Sequence, residues 1–261
     1  VLVEERRQKV LDLVKERGFV SLTELATALA YSESTLRRDL DHWNDQGLVK
    51  RTHGGAMWTG EPLTLPAFEE RAAVQAEAKR AIARAAAARV ADGMALLLDG
   101  GTTTLEVAKL LLGRSVQIVT NSLPIASLLA ASRETDLILL GGYVYPKTGV
   151  ALGPLTIAML ERIHVQQAII SVSGITPKGL FNSNLLLVET ERAMMRSADE
   201  VVVVADHTKL DRAALSQLCP LSTIDTLVVD GGLTKSQRRW LNDAGPRLLI
   251  ADETMPESFR S

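Results

Sequence analysis

Cysteine is almost missing from this chain of 261 residues: Cys219 stands alone. A lone thiol closes no internal disulfide, so the sequence excludes a disulfide-stapled secreted scaffold. It fits a reducing cytoplasm, where the default role of such a residue is a small packed side chain. Histidine is scarce as well. His42, His53, His164 and His207 stand at no spacing that, with Cys219, would ligate a metal, and neither a metal nor another cofactor is expected. No apolar run approaches the ~20 residues that a spanning helix needs, so no membrane partner is expected. The first residues are charged and lack an apolar core segment, so no signal peptide is expected either. Nor does one sign of charge dominate: 29 Lys and Arg against 31 Asp and Glu leave a net charge of −2, with no polybasic tail.

What is present is an ordinary globular composition, 46% apolar and 23% charged, with length enough for two domains and a substantial core. The most informative stretch runs from Ser32 to Ala56. Ser32 is a good N-cap, and Leu36, Leu40 and Trp43 mark one face of a short helix from which Arg37, Arg38 and Asp41 project away. Just before it, Leu22, Leu25, Ala26 and Leu29 mark another helix with Ser21 as its cap, and only Ala30-Tyr31 intervenes. Two short amphipathic helices with almost no connector form a helix-turn-helix, whose second helix enters the DNA major groove. Leu48 to Thr52 then reads as a strand that ends in the turn residues Gly54-Gly55, a basic hairpin or wing.

Residues 1–57 hold nine basic and nine acidic side chains, so placement rather than net charge points to nucleic acid. Arg37 and Arg38 on the helix and Lys50 and Arg51 on the wing are placed to neutralise phosphates; Ser34, Thr35 and the two arginines are placed to reach base edges. The competing reading of Arg37-Arg38 is a solvated helix face. The DNA-contacting set is Ser32, Ser34, Thr35, Arg37, Arg38, Lys50, Arg51, His53 and Gly54. Together with a first helix over Glu4–Arg17, this makes a DNA-binding domain over residues 1–57.

Residues 58–67, with two prolines and a glycine, read as a linker. From Phe68 to Ala91 an alanine-rich stretch predicts one long helix. The rest of the 68–261 domain repeats short apolar runs: Met94–Leu98, Val116–Thr120, Leu137–Leu140, Ala168–Ser171, Val201–Ala205, Leu227–Val229 and Leu248–Ile250. Helical stretches such as Thr103–Leu112, Pro124–Ala131, Leu155–Arg162 and Glu189–Ser197 alternate with them. This rhythm predicts an α/β fold, a mostly parallel sheet flanked by helices, with hairpin excursions and a mixed sheet both open near 140–150.

Polar or glycine-rich clusters follow six of the runs: Asp99-Gly100-Gly101-Thr102-Thr103-Thr104; Asn121-Ser122; Gly141-Gly142; Ser171, Ser173 and Gly174; Asp206 to Lys209; and Asp230-Gly231-Gly232. In an open parallel sheet all six share one edge, where ligands bind. Gly100 to Thr104 joins a strand to a helix, so free N–H groups and threonine hydroxyls would meet an anion there. An ordinary capped turn is the competing reading. Lys209 adds a cation for phosphate or sugar oxygens, while His207 is read as structural or solvent-facing.

Ser32-Glu-Ser-Thr-Leu-Arg-Arg-Asp-Leu40 followed by Arg51-Thr-His-Gly-Gly-Ala56 resembles the N-terminal signature of the DeoR family of bacterial transcriptional regulators. Tyr31 departs from it, standing where the family more often has a small branched apolar residue. Leu98-Asp-Gly-Gly-Thr-Thr-Thr104, Val119-Thr-Asn-Ser122, Leu140-Gly-Gly142 and Ala205-Asp-His-Thr-Lys209 stand in the family's order too, so the resemblance covers nearly the whole chain. It implies an effector domain similar to ribose-5-phosphate isomerase that senses a phosphorylated sugar or related metabolite. It also implies binding roles for Asp99, Gly101, Thr102, Thr103, Asn121, Gly141, Gly142 and Lys209. With Gly100, Thr104, Ser122 and Ser173 these make up the effector-binding set. Gln166-Gln167 and Ser171-Val172-Ser173 depart from the family's pattern around the fourth strand.

The resemblance therefore implies a repressor of a carbohydrate operon under the control of a phosphorylated sugar, expected to bind a double-stranded operator as a homodimer or homotetramer. The alternative is an active sugar-phosphate isomerase with a DNA-binding appendage. An isomerase needs a positioned carboxylate base. The fourth strand ends in serines, and Asp99, Asp206 and Glu189 show no recognisable paired spacing, so no catalytic residue is expected.

Overall fold

The structure is a computed structural model that describes residues 3–17, 19–52, 54–58 and 68–251. The chain divides into two compact units, Val1–Pro66 and Ala67–Ser261.

In the first unit, α1 (Val3–Arg17) presents Val10 and Val14, one turn apart, to a core completed by Val20, Leu25, Leu36, Leu40, Val49 and Ala56. A short strand, β1 (Phe19–Ser21), leads into α2 (Leu22–Leu29). Ser21 and Glu24 close a reciprocal capping box at the start of α2. The helix stops at Ala30, whose left-handed backbone (φ 57°) turns the chain toward Ser32, the N-cap of α3 (Glu33–Asp45). The chain then forms β2 (Val49–Thr52) and β3 (Gly55–Trp58), and the three strands pair antiparallel in the order β1–β3–β2. Trp58, read from sequence as the first linker residue, is the last residue of β3; residues 59–67 of that linker lie outside the described residues. The three-residue strand β1 is too short to carry a readable alternation.

The second unit opens with α4 (Phe68–Ala73) and α5 (Ala76–Ala87). The single helix expected over Phe68–Ala91 is thus two, broken at Gln75 by a left-handed backbone (φ 55°). The break is stabilised by Lys79, whose ammonium donates to the Arg71 carbonyl at the end of α4. Alanine propensity is a weak prior that this tertiary contact overrides.

There follow β4 (Ala95–Leu98), α6 (Thr102–Leu111), β5 (Gln117–Thr120), α7 (Leu123–Leu129), β6 (Asp136–Leu139), β7 (Tyr143–Tyr145), β8 (Val150–Leu152) and α8 (Pro154–Leu160). Then come β9 (Val165–Ser171), β10 (Gly174–Thr176), β11 (Gly179–Asn182), α9 (Leu185–Arg196), β12 (Ala198–Ala205), β13 (Ser216–Cys219), β14 (Thr226–Asp230), α10 (Lys235–Asp243) and β15 (Arg247–Ala251). Seven of these strands, one at each apolar run read from the sequence, form a wholly parallel sheet in the order β15–β14–β12–β9–β4–β5–β6. The antiparallel pairs lie outside it, as the hairpin β7–β8 and the small sheet β10–β11–β13.

Strand alternation divides the core in two. Leu97, Val119, Ala168, Ile170 and Val203 pack on one face with Leu160, Val188, Met194 and Leu241, from α8, α9 and α10. Leu96, Leu98, Ile118, Ile169 and Val202 pack on the other with Ile82, Val107, Leu111 and Ile125, from α5, α6 and α7. The chain enters the sheet at β4, builds outward through β5 and β6, then returns to β9 and builds the other way. The strand order reverses between β4 and β9, where an open α/β sheet leaves a crevice at its carboxyl edge.

Candidate nucleic-acid interface and effector site

In the first unit, α3 is pinned to α1 by buried polar contacts. Asp39 accepts from Arg6 at 2.6 and 2.9 Å, and the Trp43 indole donates to the Arg7 carbonyl at 2.8 Å. The same contacts orient the rest of the helix: Arg37, Arg38 and Asp41 are all exposed, as the periodicity predicted. Arg37 reaches Glu33 at 3.7 Å, while Arg38 has no ion-pair partner among the described residues. Ser32 is committed to the cap, accepting from the Thr35 amide, and its hydroxyl lies 3.0 and 2.9 Å from those of Ser34 and Thr35. Tyr31 is accommodated by the Arg6 guanidinium, 5.6 Å from its ring centre.

On the wing Lys50 is exposed, whereas Arg51 is tied to Asp41 at 2.5 Å and holds the wing to α3. The Gly54 carbonyl accepts from the Leu22 amide at 2.9 Å, fixing the turn to α2. A side chain on Gly55 would sit 2.2 Å from the Val20 carbonyl oxygen, so only glycine fits there. His53 lies outside the described residues.

In the second unit, Asp99 at the end of β4 and Ser171 at the end of β9 meet across the point of strand reversal. Asp99 Oδ2 accepts from the Ser171 amide and hydroxyl, both at 3.2 Å. Burial pushes the Asp99 carboxyl up to about 6, against the opposing effect of those bonds and of the Gly100 amide. Gly100 and Gly101 pass so close to Val150 and Ser171 that a Cβ on either would lie 2.0 and 2.2 Å from their side chains. Gly101 caps α6 with no side chain, which leaves the first amides of that helix open to an anion. The hydroxyls of Thr102 and Thr103 make no hydrogen bond among the described residues.

Other members of the expected set have internal roles. Thr104 is fully buried and donates to the Gly101 carbonyl at 3.0 Å, so its hydroxyl does not face the crevice. Ser122, also buried, caps α7. Asn121 donates to the Ala151 carbonyl at 3.1 Å, tying β5 to β8. Gly142, at φ 151°, passes under Thr156, whose hydroxyl donates to the Gly141 carbonyl at 2.8 Å. Both glycines are exposed beyond edge strand β6, away from the reversal point. Ser173 donates to Asn182 at 2.5 Å. His207 is held to Asp230 through its ring, at 2.7 Å, and its own amide.

A charged group follows β12, the strand paired with β9. Lys209 stands 4.0 Å from Asp206, and Lys79, nearly buried, feels the charges of both. Burial lowers the Lys79 pKa, Asp206 opposes that shift, and Lys209 and Arg71 add to it. Glu191 and Asn182, near Asp99, were not read as site residues. The Asn182 amide donates to Glu191 at 2.5 Å, and burial together with Asp99 holds the Glu191 carboxyl well above its ordinary range. A signal was present in the sequence: Glu191 falls on the apolar stripe Leu187, Val188, Met194, where an acid is out of place.

Comparison with known proteins finds two matched domains. Residues 6–60 match the DeoR-like helix-turn-helix domain and residues 74–231 the DeoR C terminal sensor domain. The glycerol-3-phosphate regulon repressor of Escherichia coli (strain K12) is 33% identical over 241 residues, 92% of this chain and 95% of that protein. The HTH-type transcriptional repressor GlcR of Bacillus subtilis (strain 168) is 30% identical over 250 residues, 96% of this chain and 97% of that one. Among solved structures, ribose 5-phosphate isomerase A from Methanocaldococcus jannaschii is similar over 51% of this chain and 53% of its own, at 22% identity and a TM-score of 0.36. With a helix-turn-helix and a sensor domain both matched, and relatives at 30% and 33% identity spanning more than nine-tenths of its length, the chain belongs to the DeoR family of DNA-binding transcriptional regulators.

Proposed function

We propose that the protein is a repressor whose grip on a double-stranded operator is set by a phosphorylated sugar. Arg37, Arg38 and Ser34 on α3 enter the major groove, with Lys50 and the wing on the flanking backbone. A homo-oligomer presents two such helices to a pseudo-palindromic site. The phosphate is held by the first amides of α6 and the hydroxyls of Thr102 and Thr103, with Lys209 and Lys79 beside them. The observation that carries this reading is the uncapped start of α6 at the strand-reversal point. The E. coli relative is named for the glycerol-3-phosphate regulon, and a phosphate ester of a hydroxylated carbon chain is the ligand class proposed here. Anisotropy titration of operator fragments with and without a panel of phosphorylated sugars tests it; a panel that never moves operator affinity ends it.

One observation favours a second reading. Asp99 is buried at the reversal point with Oδ1 unpaired among the described residues, a placement open to a general base of an isomerase. Incubation with ribose 5-phosphate and a colour test for ketose separates the two, since a pure sensor forms none.

A further inference from the structure

Three oxygens buried at the carboxyl edge have no hydrogen-bond partner among the described residues: Asp99 Oδ1, Asn121 Oδ1 and Glu191 Oε2. Their residues are 1%, 0% and 1% exposed. Native structures supply a donor for almost every such atom, so each orphan needs an explanation. The three share one side of the sheet. Leu97 and Val119, two positions before Asp99 and Asn121, face the layer that contains α9, and alternation sends Asp99 and Asn121 the same way. Glu191 comes from α9, close enough to Asp99 to feel its charge. Its other oxygen is fixed by Asn182, whose own oxygen accepts from Ser173 at 2.5 Å and from the Ser183 amide at 3.0 Å. α6 and α5, which carries Lys79, belong to the opposite layer, where Lys79 feels Asp206 and Glu106 as well as Lys209 and Arg71.

The crevice therefore differs across the sheet, with open amides and the Lys79, Lys209 and Asp206 charges on one side and unsatisfied acceptors on the other. We propose that Asp99, Asn121 and Glu191 form a hydroxyl-reading wall, which selects phosphate esters with a neutral hydroxylated far end and rejects those ending in a carboxylate. The proposal rests on the sugar-phosphate reading above and adds Glu191 and the sign of the selection to it. A hydroxyl both donates and accepts, so it satisfies a carboxyl in either protonation state. A carboxylate offers no donor to any of the three oxygens and brings another negative charge beside Asp99.

Calorimetric titration of the full chain with matched pairs tests this: glycerol 3-phosphate against 3-phosphoglycerate, ribose 5-phosphate against 5-phosphoribonate, and glucose 6-phosphate against 6-phosphogluconate. Within whichever pair binds, the neutral member is expected to bind at least about tenfold more tightly. Glu191→Leu, which removes both carboxyl oxygens, is expected to weaken that member by about tenfold while the Kd of inorganic phosphate stays within about twofold. Equal affinities within the pair, or a folded Glu191→Leu protein that binds as the wild type does, overturn the wall. If the variant does not fold by circular dichroism, the pair comparison on the wild type decides between the two outcomes. A wild type that binds no member of any pair fails the sugar-phosphate reading itself, and the wall falls with it.

Discussion

Asp99 combines two demands that conflict at the scale of a single residue. It organises the reversal point by accepting from Ser171, yet burial opposes its charge and raises its pKa from 3.8 to about 6. An acid whose folded pKa is raised binds more protons folded than unfolded. Its contribution is therefore favourable at low pH and is lost as pH climbs through the folded pKa. For a shift of this size the loss is about 3 kcal/mol. Asp99→Asn keeps an acceptor for Ser171 and removes the titration. Urea unfolding is then expected to show the variant gaining about 2–3 kcal/mol on the wild type between roughly pH 4 and pH 7. A gap that stays flat across that range would show that Asp99 is not ionised against burial. In the first unit Asp39, itself 1% exposed, is paired with Arg6, so Asp39→Ala, which strands that guanidinium and opens a gap between α1 and α3, should destabilise the unit. Operator binding would then fail through unfolding of the headpiece, visible as a lowered Tm.

At the scale of the element, α3 and the wing divide their work by exposure. Arg37 and Arg38 are exposed on the helix; alanine at either is expected to cost about 1–3 kcal/mol of operator affinity if it reads a guanine. Lys50→Ala should weaken all sequences alike and reduce the slope of log K against log salt by about one. Operator binding unchanged in both arginine variants would remove α3 as the recognition helix. The left-handed break before α5 has its own consequence. Gln75→Gly removes the Cβ penalty at φ 55° and should stabilise the second unit by about 0.5–1 kcal/mol, measured by urea unfolding.

These elements also show what is legible in a sequence. The inner parallel strands are readable because strands covered on both faces must be continuously apolar, edge strand β6 keeps an apolar run although Ile138 and Leu139 are exposed, and Ser21 and Ser32 are readable as caps because capping is local. Features that depend on distant partners are not. The break at Gln75 hides in an alanine-rich run because Lys79 stabilises it from a turn away. Asp39 looks like any acid beside two arginines until α1 brings Arg6 to it. Thr104 and Ser122 sit in polar clusters yet turn inward, and no spacing rule distinguishes them from Thr102 and Thr103.

At the scale of the whole molecule, a regulator is defined by coupling between its two sites rather than by either site alone. If the effector changes operator affinity by a factor α, saturating operator must change effector affinity by the same α; typical couplings of about 1–3 kcal/mol make α about 5–150. Reciprocity separates this mechanism from a trivial one, in which an anionic sugar phosphate competes with DNA phosphates for Arg38 and Lys50. Competition of that kind weakens operator binding without limit as ligand rises, whereas coupling levels off once the sensor site is full. Titrating operator at increasing effector should therefore reach a plateau, and its height should equal the shift in effector Kd produced by saturating operator. Lys209→Ala and Thr103→Ala supply the control, since both leave α3 and the wing untouched. Operator affinity without ligand is expected to match the wild type in both variants, and the ligand-dependent change to disappear. A response that persists unchanged in both would move the sensing site away from the start of α6, whatever the plateau showed.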